Sequence, residues 1–268
     1  MVYLSIFISA IILLLVYMRI EAGMVEIKRI KFTENKKCLK ILHMSDIHIN
    51  RLKVPWHRVK NAINEERPDI VLFTGDYIES ERDIPRFLEF LKYVDGNSKI
   101  LFCLGNHDYN AFSGNREGLK GFISAIEGAG ASFLHNQSIC IEKGHTRYNV
   151  AGFDDLKAGN PDIKKTFDSC CDKAYMTIAF SHNPDIIFEI PKGKVDYLFC
   201  GHFHGGQIWL PFNLEFKLMR IDRLSKMGIR KGLHKINGTN VYINRGLGNV
   251  CLPLRFLSRP EISIYHLP

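Results

Sequence analysis

The chain has 268 residues, of which 46% are hydrophobic, and this allows one sizeable core within a single soluble domain. The formal net charge of +8 indicates an anionic partner, which could be nucleic acid, a membrane surface or a phosphorylated substrate. The cysteines number seven and form no CxxC pair, which argues against a structural zinc site.

A membrane anchor over residues 1–20 is the first predicted element. The stretch "MVYLSIFISAIILLLVYM" has 18 residues without a charged side chain. As a helix it would reach about 27 Å, close to the thickness of a bilayer core. The alternative is a cleaved signal peptide, which would need Lys or Arg before the apolar run and small residues at a cleavage site. Neither feature is clear, so an uncleaved anchor is favoured.

A basic juxtamembrane linker over residues 21–37 is predicted next. The positive side chains that follow the apolar run are Arg19, Lys28, Arg29, Lys31, Lys36 and Lys37. Positively charged flanks tend to stay in the cytoplasm. The sequence therefore predicts a single-pass anchor in the inner (cytoplasmic) membrane, with a domain over residues 38–268 that faces the cytoplasm.

Apolar runs alternate with amphipathic ones in the first half of that domain. The runs "CLKILHMSD", "DIVLFTGD" and "KILFCLGNHD" are typical of buried strands, and "PWHRVKNAINEER" and "IPRFLEFLKYV" between them are typical of helices. Further strands are predicted in residues 131–152, in "AYMTIAFSH" and "VDYLFCGH", and in the tail segments "TNVYINRGLG" and "EISIYHLP". This order predicts an α/β body with two packed sheets and helices outside.

Five of these apolar runs end in a potential metal ligand or a pair of ligands. The residues are Asp46, His48, Asp76, Asn106, His107, His182, His202 and His204. Each could singly be a helix cap, a turn residue or a satisfied polar side chain. Active sites of α/β proteins gather where strands end, so the recurrence of the pattern predicts one common site.

The residue types indicate the chemistry of that site. Imidazole with carboxylate and amide oxygen, and without thiolate, suits Mn, Fe, Zn or Ni. The set is too large for one ion but suits two divalent ions about 3.5–4 Å apart, which Asp76 could bridge. Two such ions would bind two oxygens of a phosphate ester and lower the pKa of a bridging water. The predicted reaction is phosphoester hydrolysis.

The blocks "DIH", "GD", "GNHD", "SH" and "GHFH" stand in the order found in the calcineurin-like metallophosphoesterase superfamily, which the chain resembles over residues 46–204. The resemblance implies a four-layer αββα sandwich, two divalent metals with Mn favoured, and attack by a metal-bridging hydroxide. It implies one metal on Asp46, His48 and His204, and another on Asn106, His182 and His202, with Asp76 between them.

The same resemblance assigns catalytic roles to two further residues. His107 would lie beside the leaving-group oxygen, as an acid or as electrostatic support. The superfamily often reads "GDYVD", in which the second acid orients this histidine. The present chain reads "GDYIE", so Glu79 is expected to take that role through a longer side chain.

A late pair of motifs indicates a subgroup. "GHFHGGQIWLPF" and "RGLG" at residues 245–248 resemble those of membrane-associated bacterial members of the superfamily. This resemblance implies a lipid-linked phosphodiester or pyrophosphate as substrate, such as UDP-2,3-diacylglucosamine.

Residues 217–235 carry seven Lys or Arg against one acid, and Leu218, Ile221, Leu224 and Met227 recur at every third position. The pattern predicts an amphipathic helix, which could be an interfacial helix or a solvated basic flap over a core-facing stripe. In either case it should lie near the metals, so substrate binding is expected from Arg220, Arg223, Lys226 and Arg230.

A nuclease or a broad phosphodiesterase is the alternative function. Stacking of bases normally needs aromatic side chains interleaved with positive charge, and only Trp209, Phe212 and Phe216 lie near the basic segment. Nucleic acid is therefore not expected as a partner. A non-catalytic scaffold is disfavoured because every ligand position of the superfamily pattern is filled.

Overall fold

The computed structural model describes residues 1–35, 37–210, 214 and 220–268. The strands are β1 (Glu26–Lys31), β2 (Leu39–Met44), β3 (Ile70–Thr74), β4 (Lys99–Cys103), β5 (Ala131–Phe133), β6 (Gln137–Lys143), β7 (Thr146–Gly152), β8 (Met176–Phe180), β9 (Tyr197–Cys200), β10 (Gly232–Ile236), β11 (Thr239–Ile243) and β12 (Glu261–Leu267). The helices are α1 (Val2–Glu21), α2 (Trp56–Glu66), α3 (Ile84–Val94), α4 (Asn106–Ala111), α5 (Arg116–Gly128), α6 (Ile163–Asp168) and α7 (Arg223–Lys226).

The strands form two sheets within the described residues. One has the order β1-β12-β2-β3-β4-β5 and the other β10-β11-β9-β8-β7-β6. Strands β2 to β5 pair in parallel, as do β7, β8, β9 and β11. Parallel strands run in the same direction, so their carboxyl ends lie at one edge of each sheet.

The alternation of side chains along β3 explains why this strand reads as a continuous apolar run. Ile70 and Leu72 point into the core between the two sheets, whereas Val71 and Phe73 pack on the other face with the first set of helices. Both faces of the strand are therefore buried, as in parallel sheets covered on both sides.

Three apolar layers separate four layers of secondary structure. One core lies between the sheets and contains Tyr265 and Phe199, whose rings stack at 3.9 Å between centroids. A second lies between the first sheet and helices α2, α3 and α5. A third covers the outer face of the second sheet, where Ile186, Phe167 and Leu224 pack. The predicted α/β fold with two packed sheets is confirmed.

Helix α1 is long and apolar enough to cross a bilayer, and it is the one helix of that kind in the described parts of the chain. Most of its side chains are exposed, but Met18, Glu21 and the following Ala22 are buried against the domain. The last turn of the helix is therefore packed on the domain.

Two segments differ from their sequence-based predictions. Residues 26–31, within the predicted linker 21–37, form the edge strand β1 and pair in parallel with β12. The charged sequence "EIKRIK" hides this strand because only Ile27 and Ile30 turn inward while the other side chains lie largely at the surface.

The predicted amphipathic helix over residues 217–235 is wrong for most of its described length. Residues 217–219, and with them Leu218, lie outside the described residues, as do Phe212 and Phe216. Helix α7 covers only four residues and is followed by Gly228, whose φ of 79° ends it. Leu224 is buried, but Ile221 and Met227 are exposed, so no continuous apolar stripe forms here.

Candidate metal centre

Five strands from the two sheets end at the same place. Strands β2, β3 and β4 of one sheet and β8 and β9 of the other lead directly into the loops that carry the predicted ligands. Backbone hydrogen bonds tie two of these loops together, because Asp46 N donates to Gly75 O and His48 N donates to Asp76 O, both at 3.0 Å. The edge of the sandwich thus converges on one cluster of polar side chains.

The first group of candidate ligands consists of Asp46, His48 and His204, all buried. Asp46 Oδ1 lies 3.2 Å from His204 Nε2, and His48 Nε2 lies 3.3 Å from the same nitrogen. Three donor atoms of different side chains therefore face one another within a distance that a single cation could bridge.

The second group consists of Asp76, His182 and His202, which are buried as well. Asp76 Oδ2 lies 3.0 Å from His182 Nε2, and His182 Nε2 lies 3.0 Å from His202 Nδ1. Asp76 Oδ2 also lies 3.9 Å from His48 Nε2 of the first group. This carboxylate thus stands between the two groups.

The backbone at these positions is unusual. Asp46, His48, Asp76, His202 and His204 all have positive φ, between 38° and 74°. A residue other than glycine held in this region costs about 1–3 kcal/mol, and such residues cluster at functional sites. The fold bears this cost at five predicted ligands, which supports a functional role for the cluster.

Glu79 connects the two sides of the site. Its Oε1 lies 2.6 Å from His48 Nδ1, and its Oε2 lies 3.1 Å from His107 Nδ1. The contact at Nδ1 leaves His48 Nε2 turned toward the other ligands, which is the usual arrangement of a carboxylate behind a metal-binding histidine. His107 is part-exposed, and its contact with Glu79 is made through Nδ1.

Backbone and side-chain partners also orient the ligands of the second group. His182 Nδ1 donates to Thr74 O at 2.8 Å, so its Nε2 is the nitrogen that faces Asp76. Behind His202, Asp222 Oδ1 lies 3.5 Å from Nε2 and 2.6 Å from Lys157 Nζ. Neither Asp222 nor Lys157 stands in a recognisable motif, so this support could not be predicted from the sequence.

The protonation equilibria of the candidate ligands differ. Burial lowers the pKa of His202 to about 3 and that of His204 to about 4, so both imidazoles are neutral at pH 7. Burial acts against the charge of Asp76, but neighbouring imidazolium groups lower its pKa below the ordinary value. Burial also opposes protonation of His182, yet Asp76 raises its pKa to about 10. A cation at His182 Nε2 would replace that proton.

The residues present fit a pair of divalent metals. Both groups combine imidazole with carboxylate and contain no thiolate, which suits the borderline metals of the first transition row. Asn106 Oδ1 is buried and has no hydrogen-bond partner within the described residues, and an amide oxygen of this kind is a ready metal ligand.

Asp108, the last residue of "GNHD", organises the site although sequence reasoning gave it no role. Its carboxylate accepts hydrogen bonds from the backbone N–H groups of Asp76, Tyr77, Ile78 and Gly105, at 2.7, 2.8, 3.3 and 2.9 Å. Burial and then the charge of Asp76 raise its pKa to about 7, which the N–H donors oppose. Asp108 therefore holds the loops after β3 and β4 together.

Replacing Asp108 with alanine should destabilise the fold by about 3–5 kcal/mol, because four buried N–H groups lose their acceptor. The apparent Tm of metal-stripped, detergent-solubilised protein should fall by about 10 °C. Asp162→Ala is the matched control: its carboxylate accepts from one backbone N–H at the start of α6, so its loss should cost about 1 kcal/mol. Equal changes in Tm for the two variants would contradict the assigned role.

The "RGLG" motif packs against the loop that carries Asp46. Leu247 N donates to Ser45 O at 2.9 Å and Gly248 N donates to Asp46 O at 2.7 Å. Gly246 has a φ of 70°, and a Cβ atom there would lie 2.7 Å from Asp46 Cβ. The glycines allow this close contact.

Arg255 holds the "RGLG" loop from behind. It is fully buried and donates to the carbonyl oxygens of Ser258, Arg245, Gly246 and Gly248, at 2.8, 3.0, 3.2 and 2.6 Å. The sequence does not single out this residue, because an arginine in an irregular tail carries no local signal of burial.

The four basic residues predicted to bind substrate do not share one location. Arg220 Nη2 donates to His202 O at 2.6 Å and so lies at the metal centre. Arg223 instead lies over the ring of Phe188, with its guanidinium carbon 3.8 Å from the centroid. Lys226 is exposed and Arg230 is half-buried. Arg220 thus contacts a candidate ligand, and substrate binding by all four residues stays a prediction.

Comparisons with known proteins agree with the geometry. Residues 39–206 match the family described as calcineurin-like phosphoesterase. The chain is 31% identical to the uncharacterized metallophosphoesterase YkuE of Bacillus subtilis over 235 residues, 85% of this chain and 78% of YkuE. It is 28% identical to phosphodiesterase YaeI of Escherichia coli over 242 residues, 88% of this chain and 84% of YaeI.

A lipid-related enzyme is among the similar proteins as well. The chain is 27% identical to the UDP-2,3-diacylglucosamine pyrophosphatase LpxG of Chlamydia trachomatis over 300 aligned positions, 91% of this chain and 90% of LpxG. The family match covers all the strand ends that carry the candidate ligands and extends through His204. With its motifs in order, its ligands gathered at one edge and its sequence matched over most of its length, the chain belongs to the calcineurin-like phosphoesterase family.

Proposed function

We propose that this phosphoesterase is anchored in a membrane by α1 and hydrolyses a phosphodiester or pyrophosphate bond of a lipid-linked substrate, with UDP-2,3-diacylglucosamine as the first candidate. The main support for the proposed hydrolytic activity is the pair of buried ligand groups, which Asp76 joins and beside which His107 lies part-exposed. Arrangements of this kind suit displacement at phosphorus.

Two divalent ions, with Mn favoured, would neutralise charge on the phosphoryl oxygens and lower the pKa of a coordinated water when bound. Asp46, His48 and His204 would hold one ion, and Asn106, His182 and His202 the other, with Asp76 shared. Glu79 orients His107 through the contact at Nδ1. The Nε2 atom of His107 would then donate a proton or a hydrogen bond to the leaving oxygen.

Burial acts to lower the pKa of His107, but the hydrogen bond with Glu79 and the charge of Asp76 raise it above its ordinary value. A raised pKa keeps a larger share of the imidazole protonated near neutral pH, as a proton donor needs. The electrostatics therefore support an acid role for His107.

Metal removal tests the hydrolytic proposal. Full-length protein in detergent, stripped with a chelator, should not hydrolyse bis(p-nitrophenyl) phosphate, and added Mn should restore the activity more than Fe, Zn or Ni does. Metal content should rise to two ions per chain in parallel. Full activity of the stripped protein, or none with any of the four metals, would refute the proposal.

Three observations support a lipid-linked substrate. Helix α1 can span a bilayer by length and composition, the domain is basic overall, and LpxG, which is named for a lipid substrate, is similar over most of both chains. The similarity to YaeI, which is named a phosphodiesterase, supports a second candidate, a phosphodiesterase without lipid selectivity. Rates on lipid-linked and on simple diesters would separate the two.

The orientation of the domain is the last part of the proposal. Positive residues in the last turn of α1 and after it, such as Arg19 and Lys28, favour a cytoplasmic domain in the inner membrane. An alkaline phosphatase reporter fused after Pro268 works only outside the cytoplasm, so it should stay inactive. A strongly active fusion would place the domain on the other side.

A further inference from the structure

An apolar cavity opens directly beside the metal centre. Its volume is about 320 Å³, and its walls include Phe203, Ile208, Leu210, Val250 and Leu252. The cavity also touches His204, a candidate metal ligand. Phe203 and His204 are buried, whereas Leu210 and Leu252 are 40% and 59% exposed. The cavity therefore runs from the metal centre to a mouth lined by leucines.

Gln207 builds this cavity by joining its two walls. Its side-chain Nε2 donates to Val250 O at 2.9 Å and Leu252 O at 3.0 Å, while its Oε1 accepts from Val250 N at 2.7 Å. The backbone adds a hydrogen bond from Phe256 N to Gln207 O at 2.9 Å. Polar contacts thus tie the segments 206–210 and 250–256 together, and apolar side chains of both segments line the cavity.

The end of α1 is fastened to the same wall. Arg255 N donates to Met18 O at 3.0 Å, and the buried carboxylate of Glu21 accepts from Leu257 N and Ser258 N at 3.1 and 3.0 Å. Ser258 Oγ in turn donates to His204 O at 3.2 Å. A chain of hydrogen bonds therefore connects the membrane-spanning candidate to a candidate metal ligand.

Exposed apolar side chains surround the mouth on the side of α1. Trp209 in one wall segment is 39% exposed, and Leu257 directly after the other is 54% exposed. The two segments also present Leu210 and Leu252. Since α1 is fixed to this wall, a bilayer that contains the helix would lie next to these side chains. The mouth would then open toward lipid.

We propose that the cavity holds one fatty chain of a lipid phosphoester, while the phosphoryl group of that lipid lies at the metal centre. The inference rests on the proposed function and adds the subsite that would select lipid-linked substrates. The volume is at the lower end of the range for ligand pockets, about 300–1,000 Å³, which suits a single chain. Continuity with α1 favours lipid as the occupant, because a chain could enter from the bilayer.

Two chromogenic phosphodiesters test the subsite. Methyl p-nitrophenyl phosphate and hexadecyl p-nitrophenyl phosphate share the scissile bond and the charge and differ only in chain length. With Mn and full-length protein in detergent, kcat/KM should be at least about tenfold higher for the hexadecyl ester, because burial of methylene groups favours binding. The ratio of the two kcat/KM values measures how much the hexadecyl chain contributes to catalysis.

Charged variants at the mouth should lower that ratio. Leu252→Glu and Leu210→Glu should each reduce it about tenfold, because a carboxylate disfavours an apolar chain. Any repulsion of the phosphate affects both esters equally and cancels in the ratio. Leu233→Glu is the matched control, since Leu233 is 46% exposed on the edge strand β10 and takes no part in the cavity, so it should keep the wild-type ratio.

The outcomes separate this inference from the function on which it rests. Hydrolysis of the methyl ester without a preference for the hexadecyl ester, or a ratio that neither mouth variant changes, would overturn the lipid subsite and leave the phosphodiesterase standing. Hydrolysis of neither ester would overturn both.

Discussion

Replacing Asp76 with asparagine should lower kcat/KM for bis(p-nitrophenyl) phosphate by about 1,000-fold or more. Asp76 is the side chain that contacts both ligand groups, with Oδ2 at 3.0 Å from His182 Nε2 and 3.9 Å from His48 Nε2. An amide would remove the negative charge that Asp76 places between the two groups of candidate ligands, and it would offer one oxygen to a cation instead of two. Loss of about 4 kcal/mol of transition-state stabilisation corresponds to this factor.

The substitution tests the charge of Asp76 without changing the conformation of its loop. Asp76 Oδ1 accepts a hydrogen bond from His107 N at 2.8 Å, and an asparagine oxygen can accept the same bond. Metal analysis should show fewer than two ions per chain, while the circular dichroism spectrum should not change. Asp162→Asn, which keeps the cap of α6, should retain full activity. Activity of Asp76→Asn within tenfold of wild type would refute the shared-ligand role.

The core strands and the ligands at their ends could be predicted from sequence because both signals are local. A run such as "DIVLFTGD" combines a doubly buried strand with the polar residue that follows it, so one short segment gives both the element and the position of Asp76. The parallel order of these segments then brings their ends to one edge. The contact of Glu79 with His107 was predictable as well, since Glu79 lies three residues after Asp76 in a recognisable motif.

The support for the site could not be predicted because it depends on contacts between distant segments. Asp108 acts on the backbone of a loop about thirty residues earlier, and the bond between Glu21 and Ser258 joins two ends of the chain. Strand β1 could not be predicted from its local sequence, because it forms by pairing with β12, which is distant in the sequence. The recurring apolar residues around Arg220 wrongly predicted a long amphipathic helix. Gly228 ends the helix early, and the side chains of Ile221 and Met227 are exposed to solvent.

Replacing His107 with alanine should reduce activity by an amount that depends on the leaving group. The loss should be about 100- to 1,000-fold for diphenyl phosphate and much smaller for bis(p-nitrophenyl) phosphate, because the more acidic nitrophenol leaves without a proton. The arrangement that predicts this is the contact of His107 Nδ1 with Glu79 Oε2 at 3.1 Å, which leaves the Nε2 atom to reach the leaving oxygen. Rates on the two esters at one pH measure the effect.

The same comparison separates a proton donor from simple electrostatic support. If His107 only stabilises the charge of the phosphoryl group, both esters should lose the same factor, and the acid role would be wrong. Glu79→Gln weakens the orientation of His107 but keeps the imidazole, so its loss should be about 10- to 100-fold and show the same direction of dependence on the leaving group. His234→Ala, which replaces a part-exposed histidine on β10, should leave both rates unchanged. If Glu79 aligns His107 as a proton donor, the loss of rate should be larger for His107→Ala than for Glu79→Gln. In both variants the loss should be larger for diphenyl phosphate than for bis(p-nitrophenyl) phosphate.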